Sequence, residues 1–298
     1  MGEARSLLIG GSGAYLFERE ELGRVKKRLV VETPFGPSAP IYLVENEGFP
    51  FYFLSRHGES GYEVSAPFVN YRANIYAAKH LGVERIVAWS GPGIINRELK
   101  PGILVIPDDV LDFTKRRPST FFEGKGLGFI RQNPVFCPEL KEALRESVRN
   151  LPVETFVGGV YACTEGPRLE TPAEVRMLKF LGADVVGMTL VPECFLAREL
   201  EICYHPLCYT TNYAEGVADM PYRKGVLFEG TLPEEMEEKV EEARRFLLPV
   251  CLEALRRAEG RRRDCPCSSS MERYRKKGLI GPDFREWVGK SDDEAHEK

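Results

Sequence analysis

No apolar stretch in this sequence approaches the roughly 18 residues needed to cross a bilayer. The opening residues, MGEARSLLIG, also lack the apolar run of a secretory leader. The expectation is a soluble, cytoplasmic protein with no membrane partner. Positive charge is not in surplus either: 41 Lys and Arg against 45 Asp and Glu leave a net charge of −4. That removes the electrostatic footprint expected of a nucleic-acid binder. One basic concentration, RRAEGRRR (256–263), falls at a helix end and reads as a solvated face rather than a binding patch.

Several catalytic signatures are missing. The sequence has no G-x-S-x-G elbow and no H-E-x-x-H metal motif, and no cysteine is paired with a histidine as a nucleophile would require. Histidine is scarce, at four residues. His205, within ICYHPLCY, reads as a core histidine, while His80 and His296 fall in surface and tail contexts. Cysteine is not scarce, but six of the eight (Cys137, Cys163, Cys194, Cys203, Cys208 and Cys251) lie scattered in apolar contexts and read as small buried hydrophobes. Cys265 and Cys267, in DCPCSS, form an exposed, polar C-x-C without the partner ligands of a zinc site. The expectation is therefore no metal. A strained disulfide is the open alternative, of a kind found inside cells mainly in hyperthermophiles, and a charged content of 29% suits such an origin.

What is present is an alternation of apolar runs. SLLIGGSG (6–13), FYFLSRHG (51–58) and RIVAWSGPG (85–93) each read as a buried strand running into small polar residues. PFVNYRANIYAAKHLG (67–82) has helical spacing and closes on Gly82. GILVIPDDVLDF (102–113) and TFVGGVYACTEGP (155–167) read as strands, PAEVRMLKFLG (172–182) as a helix, and ADVVGMT (183–189) as the strand after it. Strands alternating with helices predict a mainly parallel sheet covered on both faces, with ligands gathering at the strands' carboxyl ends. Residues 1–260 form one domain on this reading, and residues 261–298 a charged appendage with one short helix over 270–278.

The polar residues cluster at those strand ends. GGSG (10–13) could cradle an anion with backbone N–H groups and the Ser12 hydroxyl, or serve only as a tight turn. It is neither a P-loop nor a dinucleotide fingerprint. Arg56 and His57, in SRHG, suit a phosphate, since arginine presents a fixed fork of donors and histidine adds another. Thr189 offers a hydroxyl and Gly91 a backbone N–H to the same anion.

The motifs GGSG, SRHG, VNYRANIYA, LKPGILVIPDDVLDFT, RPSTFFEG, TEGPRLETPAE, GADVVGMTLVPE and YTTNYA occur in an order that resembles the trimeric purine nucleoside phosphorylase and methylthioadenosine phosphorylase family. The resemblance spans roughly residues 5–255, and the C-x-C also resembles thermophilic archaeal members. It implies a single α/β domain with a central mixed β-sheet flanked by helices, a homotrimer or dimer of trimers, and no cofactor. Phosphate is the co-substrate, attacking C1′ of a purine nucleoside to release the base and a ribose 1-phosphate in purine salvage. By resemblance, Ser12, Arg56, His57, Ser90, Gly91 and Thr189 hold phosphate. Met188 lies under the ribose, Asn212 faces purine N7, Leu169 and Ala214 line the base, and Phe129 reaches the neighbouring subunit's sugar.

The two branches of the family differ at the base. Methylthioadenosine phosphorylases carry Asp where this sequence has Asn212 and Ala214, and a small hydroxyl residue in place of Glu170. The 6-oxopurine phosphorylases carry Glu and Asn, as here. Hypoxanthine and guanine bear a proton on N1 that a carboxylate accepts, whereas adenine N1 is a lone pair. The competing role for Glu170 is a helix cap ahead of PAEV. The expected activity is phosphorolysis of inosine and guanosine, with Asn212, His57 and Glu170 acting on the reactants. The 5′ pocket leaves methylthioinosine or methylthioadenosine open as substrates, because methylthioadenosine phosphorylases commonly place a His where Phe129 stands.

Overall fold

The computed structural model describes residues 3–14, 19–219, 224–227 and 232–288. Its larger sheet has eight strands in the order Thr155–Val157, Leu104–Ile106, Cys203–Tyr209, Arg85–Ser90, Ser6–Gly10, Phe49–Ser55, Ile41–Asn46 and Arg24–Leu29. The four central strands, Cys203–Tyr209 through Phe49–Ser55, run parallel. Three of them are buried along their whole length, which is why they read as unbroken apolar runs rather than alternating ones. Outside them the pairing turns antiparallel, at Leu104–Ile106 on one side and at the hairpin Arg24–Leu29 with Ile41–Asn46 on the other. The sheet is thus mixed, as the resemblance implies, and less parallel than alternation alone predicts. The difference lies in the hairpin, whose outer strand RVKKRL is too charged and too exposed to show a strand's apolar pattern.

A second sheet of four strands joins Asp109–Phe113, Val160–Thr164, Val185–Gly187 and Gly93–Ile94. The segments 102–113 and 155–167, each read as one strand, are both broken in two. Their first halves pair in the large sheet and their second halves in the small one. Pro107 interrupts one, and Gly158 and Gly159, at φ 128° and 88°, interrupt the other. The break is shared: Gly158 N donates to Ile106 O at 2.9 Å and Asp108 N to Gly159 O at 2.8 Å. Both strands therefore cross between sheets together, carrying the Thr164 end toward the Gly187 end.

Helices cover both faces. Successive residues of Ser6–Gly10 point to opposite sides, so Leu7 and Ile9 join one core and Leu8 the other. The first core takes in Tyr71–His80 and Glu193–Glu199, and the second takes in Pro138–Val148 and Glu234–Glu259. Asn70 caps Tyr71–His80 by accepting from Ala73 N, and Gly82 ends it at φ 86°, a left-handed turn that favours glycine. Arg256, Arg257 and Arg261 at the end of the long helix pair with Glu47 and Glu146, as a solvated face does.

The C-terminal segment lies against the body. Met271, Tyr274, Phe284, Trp287 and Val288 are buried in the first core, and the short helix expected there runs over Glu272–Lys276. Cys265 and Cys267 are 6% and 2% exposed, which corrects the reading of this pair as a surface feature. Among the described residues, no helix is long and apolar enough to cross a membrane.

Candidate active site

The glycine-rich turn packs directly on the buried arginine. A Cβ at Gly11 would stand 2.3 Å from Trp89 O and 3.0 Å from Arg56 Nη1, so only glycine lets the backbone come this close. Trp89 Nε1 donates to Ser12 O at 3.3 Å, and Arg56 N donates to Gly10 O at 2.9 Å. Three strand ends, at Gly10, Ser55 and Ser90, therefore meet around the Arg56 guanidinium.

Arg56 is fully buried and already held by Glu193. Its Nε donates to Oε2 at 2.9 Å and its Nη2 to Oε1 at 2.7 Å, while the Tyr204 hydroxyl donates to the same carboxylate at 2.7 Å. Glu193 and Tyr204 were not anticipated as site residues. A lone acid within LVPECFL carries no local signal of its partner 137 residues away. The paired carboxylate fixes the fork, and Nη1 gives one hydrogen to Trp89 O at 3.4 Å, leaving two of the five guanidinium N–H groups over among the described residues.

His57 is fully buried and stacks on Tyr62 at 4.3 Å. Its Nδ1 lies 2.9 Å from Val64 O, which can only accept, so the ring proton sits there. Nε2 is buried with no partner among the described residues. Burial and the neighbouring Arg56 push the His57 pKa down to about 4, so the ring is neutral at physiological pH. The free Nε2 is then an acceptor.

Ser90, Thr189 and Tyr161 form a buried hydroxyl cluster, with Ser90 Oγ 3.1 Å from Thr189 and 3.0 Å from Tyr161. Met188, beside Thr189, packs so closely on the Gly166 turn that a Cβ there would lie 2.4 Å from its sulfur. A Cβ at Gly91 would stand 3.0 Å from the side chains of Thr211 and Tyr209, so the third strand end lies close against the segment carrying Asn212. Asn212 O accepts from Ile94 N at 2.8 Å, and Ala214 N donates to Ile94 O at 2.9 Å.

Within Asn212, the Thr211 hydroxyl donates to Oδ1 at 2.7 Å and Nδ2 donates to Tyr213 O at 2.9 Å. That orientation leaves one Nδ2 hydrogen without a partner among the described residues. Glu170 accepts from the Thr164 hydroxyl through Oε1, and the same hydroxyl lies 3.4 Å from Gly187 O. Glu170 does not cap the helix that follows. Thr171 and Glu174 form the complete capping box, with Thr171 Oγ1 accepting from Glu174 N at 3.3 Å and Glu174 Oε2 from Thr171 N at 2.8 Å. Leu169 and Glu170 are half-buried, at the edge of this surface.

Arg117, from RPSTFFEG, is a third residue that no sequence motif singles out. Its guanidinium donates to the carbonyls of Thr164, Glu165, Met188 and Val191, lies 3.3 Å from the Tyr71 hydroxyl, and is 1% exposed. It ties the loop leading to Glu170 to the loop carrying Met188 and Thr189. Phe129 stands apart. It is 78% exposed, and its amide is held by the Tyr274 hydroxyl at 2.8 Å, so within this chain it does not join the other site residues.

Cys137 and Cys203 also correct an expectation. They lie beside Cys265 and Cys267 in a buried group whose sulfurs are within 4.8 Å of one another. The C-x-C therefore does have partner sulfurs beside it, supplied from 62 or more residues away in the chain.

A mixed α/β domain that gathers a glycine-rich turn, a buried Arg–His pair and a cluster of buried hydroxyls at adjoining strand ends has the architecture of a nucleoside phosphorylase. The chain belongs to the phosphorylase superfamily, whose model matches residues 6–256. It is 44% identical over 222 residues to the 6-oxopurine nucleoside phosphorylase of Pyrococcus furiosus, covering 72% of this chain and 81% of that one. Over 266 residues it is 42% identical to a "Probable S-methyl-5'-thioinosine phosphorylase" of Methanopyrus kandleri, covering 89% and 96%. Among solved structures, a methylthioadenosine phosphorylase from an antarctic soil metagenomic library superposes with a TM-score of 0.78 at 31% identity, covering 91% of each chain.

Proposed function

We propose that this chain is a purine nucleoside phosphorylase that cleaves inosine and guanosine with phosphate, giving free base and ribose 1-phosphate in purine salvage. The observation that carries the base preference is the complete Thr171–Glu174 capping box, which frees Glu170 from the competing role. One Glu170 oxygen is taken by Thr164 and the other accepts purine N1–H. Adenine would set a lone pair against that carboxylate, a mismatch costing on the order of 1–3 kcal/mol. The spare Nδ2 hydrogen of Asn212 donates to N7 as negative charge builds on the departing base.

Phosphate sits among Ser12, Arg56, His57, Ser90, Gly91 and Thr189 and is the co-substrate; no cofactor takes part. The transition state is oxocarbenium-like at the sugar, so the phosphate charge beside C1′ stabilises it and no protein nucleophile is required. Met188 lies under the ribose, and Leu169 and Ala214 line the base. Phe129, exposed in one chain, completes a neighbour's sugar pocket in a homotrimer or dimer of trimers.

A second reading, phosphorolysis of methylthioinosine, draws on the Methanopyrus kandleri relative, which the chain matches over 96% of that protein's length. It keeps the same base contacts and changes only the 5′ group. Phosphate-dependent base release from inosine, guanosine, methylthioinosine, adenosine and methylthioadenosine, measured side by side, separates these cases. The first three exceeding the last two supports the Glu170 assignment, and methylthioinosine far above inosine selects the second reading. Methylthioadenosine exceeding all the others defeats both.

A further inference from the structure

Cys137, Cys203, Cys265 and Cys267 are all buried, and every pair of their sulfurs lies within 4.8 Å. Three separate segments deliver them. Cys137 stands at the N-cap of the helix Pro138–Val148, and its amide donates to Tyr204 O at 2.8 Å. That bond fixes it beside Cys203, the first residue of the strand Cys203–Tyr209. Cys265 and Cys267 arrive together on the turn that follows the long helix, and Cys203 Sγ lies 3.3 Å from Cys265 Sγ.

Four sulfurs around one tetrahedral zinc at ~2.3 Å would stand about 3.8 Å apart. One pair stands at 3.3 Å and none is more than 4.8 Å apart, distances that lie on either side of that value. The chain's other four cysteines do not belong to the group. We propose that these four residues form a structural tetrathiolate zinc site that fastens the C-terminal segment to the body of the domain.

The surroundings suit the charge such a site would carry. Zn²⁺ and four thiols give a tetrathiolate of net charge −2 and release four protons to solvent; no oxidant or reductant is consumed. Arg263 packs against Cys203, its Nη2 donating to Glu201 O at 2.7 Å while its Nε is buried with no partner among the described residues. An N–H facing a thiolate is the outer-shell partner that metal-bound sulfur ordinarily takes. Four closed protein ligands leave no open coordination position, so the site is structural rather than catalytic. Its consequence for the active site runs through the fastened segment, since the Tyr274 hydroxyl holds the Phe129 amide.

The test uses the full untagged chain, purified without added metal or chelator. Elemental analysis should find one zinc per chain, and all eight cysteines should titrate as thiols once the protein is denatured in chelator. Cys267→Ser should drop the zinc from about one per chain to none and lower Tm. If that variant does not fold, exchanging Co²⁺ into the wild-type chain should give the intense sulfur-to-cobalt absorption of a thiolate cage. Absence of metal with only four titratable thiols would mean two disulfides and overturn the proposal. Absence of metal with eight thiols, or iron in place of zinc, would overturn it as well.

Discussion

The Thr164 hydroxyl holds Oε1 of Glu170, and Oε2, which the proposed function assigns to the purine N1–H, has no hydrogen-bond partner among the described residues. Replacing Glu170 with Ala should therefore lower kcat/KM for inosine and guanosine by roughly 5- to 150-fold, the equivalent of about 1–3 kcal/mol. The KM for phosphate should change little, and adenosine should lose nothing. Steady-state kinetics with each substrate varied in turn checks this; a collapse of phosphate affinity would make Glu170 a structural residue instead. His57 yields a second prediction at the same scale. With the ring proton held toward Val64 O, its Nε2 lone pair can meet a phosphate oxygen only if a proton lies between them. Inorganic phosphate at about pH 8 is largely the dianion, which keeps one P–OH, and that hydroxyl can donate to Nε2 without any proton from solvent. Calorimetric titration of phosphate at that pH in two buffers of different ionisation enthalpy should therefore give the same heat. A heat that scales with the buffer's ionisation enthalpy would mean that the site takes up a proton on binding, and the neutral acceptor role of His57 would fall.

At the scale of elements, the site depends on loops being held in register. The strand Val160–Thr164 and the strand Val185–Gly187 end side by side, and Arg117 closes the gap by donating to four carbonyls beyond them. Arg117→Met keeps the bulk and removes every donor, stranding buried acceptors at about 1–3 kcal/mol each before water relieves some of them. A net loss of roughly 2–4 kcal/mol is expected in urea unfolding, with KM rising for nucleoside and phosphate together. A loss confined to kcat would argue against this positioning role. Such residues also mark where sequence reading stops. Strand ends rich in Gly, Ser, Thr and Arg are legible because close backbone approach demands glycine locally, as at Gly11, and because donor-rich residues such as Arg56 and Thr189 stand out after an apolar run. Arg117, Glu193 and the pairing of Cys137 with Cys265 depend on contacts across 47 to 137 residues, which no local pattern encodes. Similarly, the hairpin strand RVKKRL is a strand through its pairing with Ile41–Asn46 and not through its own polarity.

For the molecule as a whole, three buried titratable groups set the pH dependence of stability, and they do not all pull one way. Burial pushes His57 and His205 down to about 4 from an ordinary value of 6.5, so both are neutral in the fold. Burial raises Glu199 to about 7 from 4.5, against the hydrogen bonds it accepts from Phe121 N and the Thr120 hydroxyl. Each histidine contributes stability that is present above its unfolded pKa and is lost as pH falls toward its folded one. Glu199 acts oppositely, its contribution fading as pH rises through the folded value. Between about pH 4.5 and 6.5 the unfolded chain holds two protons on these groups and the native chain one, so stability rises with pH by ~1.4 kcal/mol per unit. Glu174, held down to about 2 by Arg168 and by the Thr171 amide, adds to that rise only near the lower edge of the window, where its unfolded form still binds a proton. Glu199→Gln removes the one proton bound in the native state, and the slope should then steepen to ~2.7 kcal/mol per unit. Urea unfolding without phosphate, at one fixed protein concentration and at four pH values across the window, measures both slopes. Equal slopes in the two proteins would mean that Glu199 is ionised in the native state. A stability that falls as pH rises would mean that the buried histidines carry charge, and the neutral His57 on which the phosphate contact depends would fall with it.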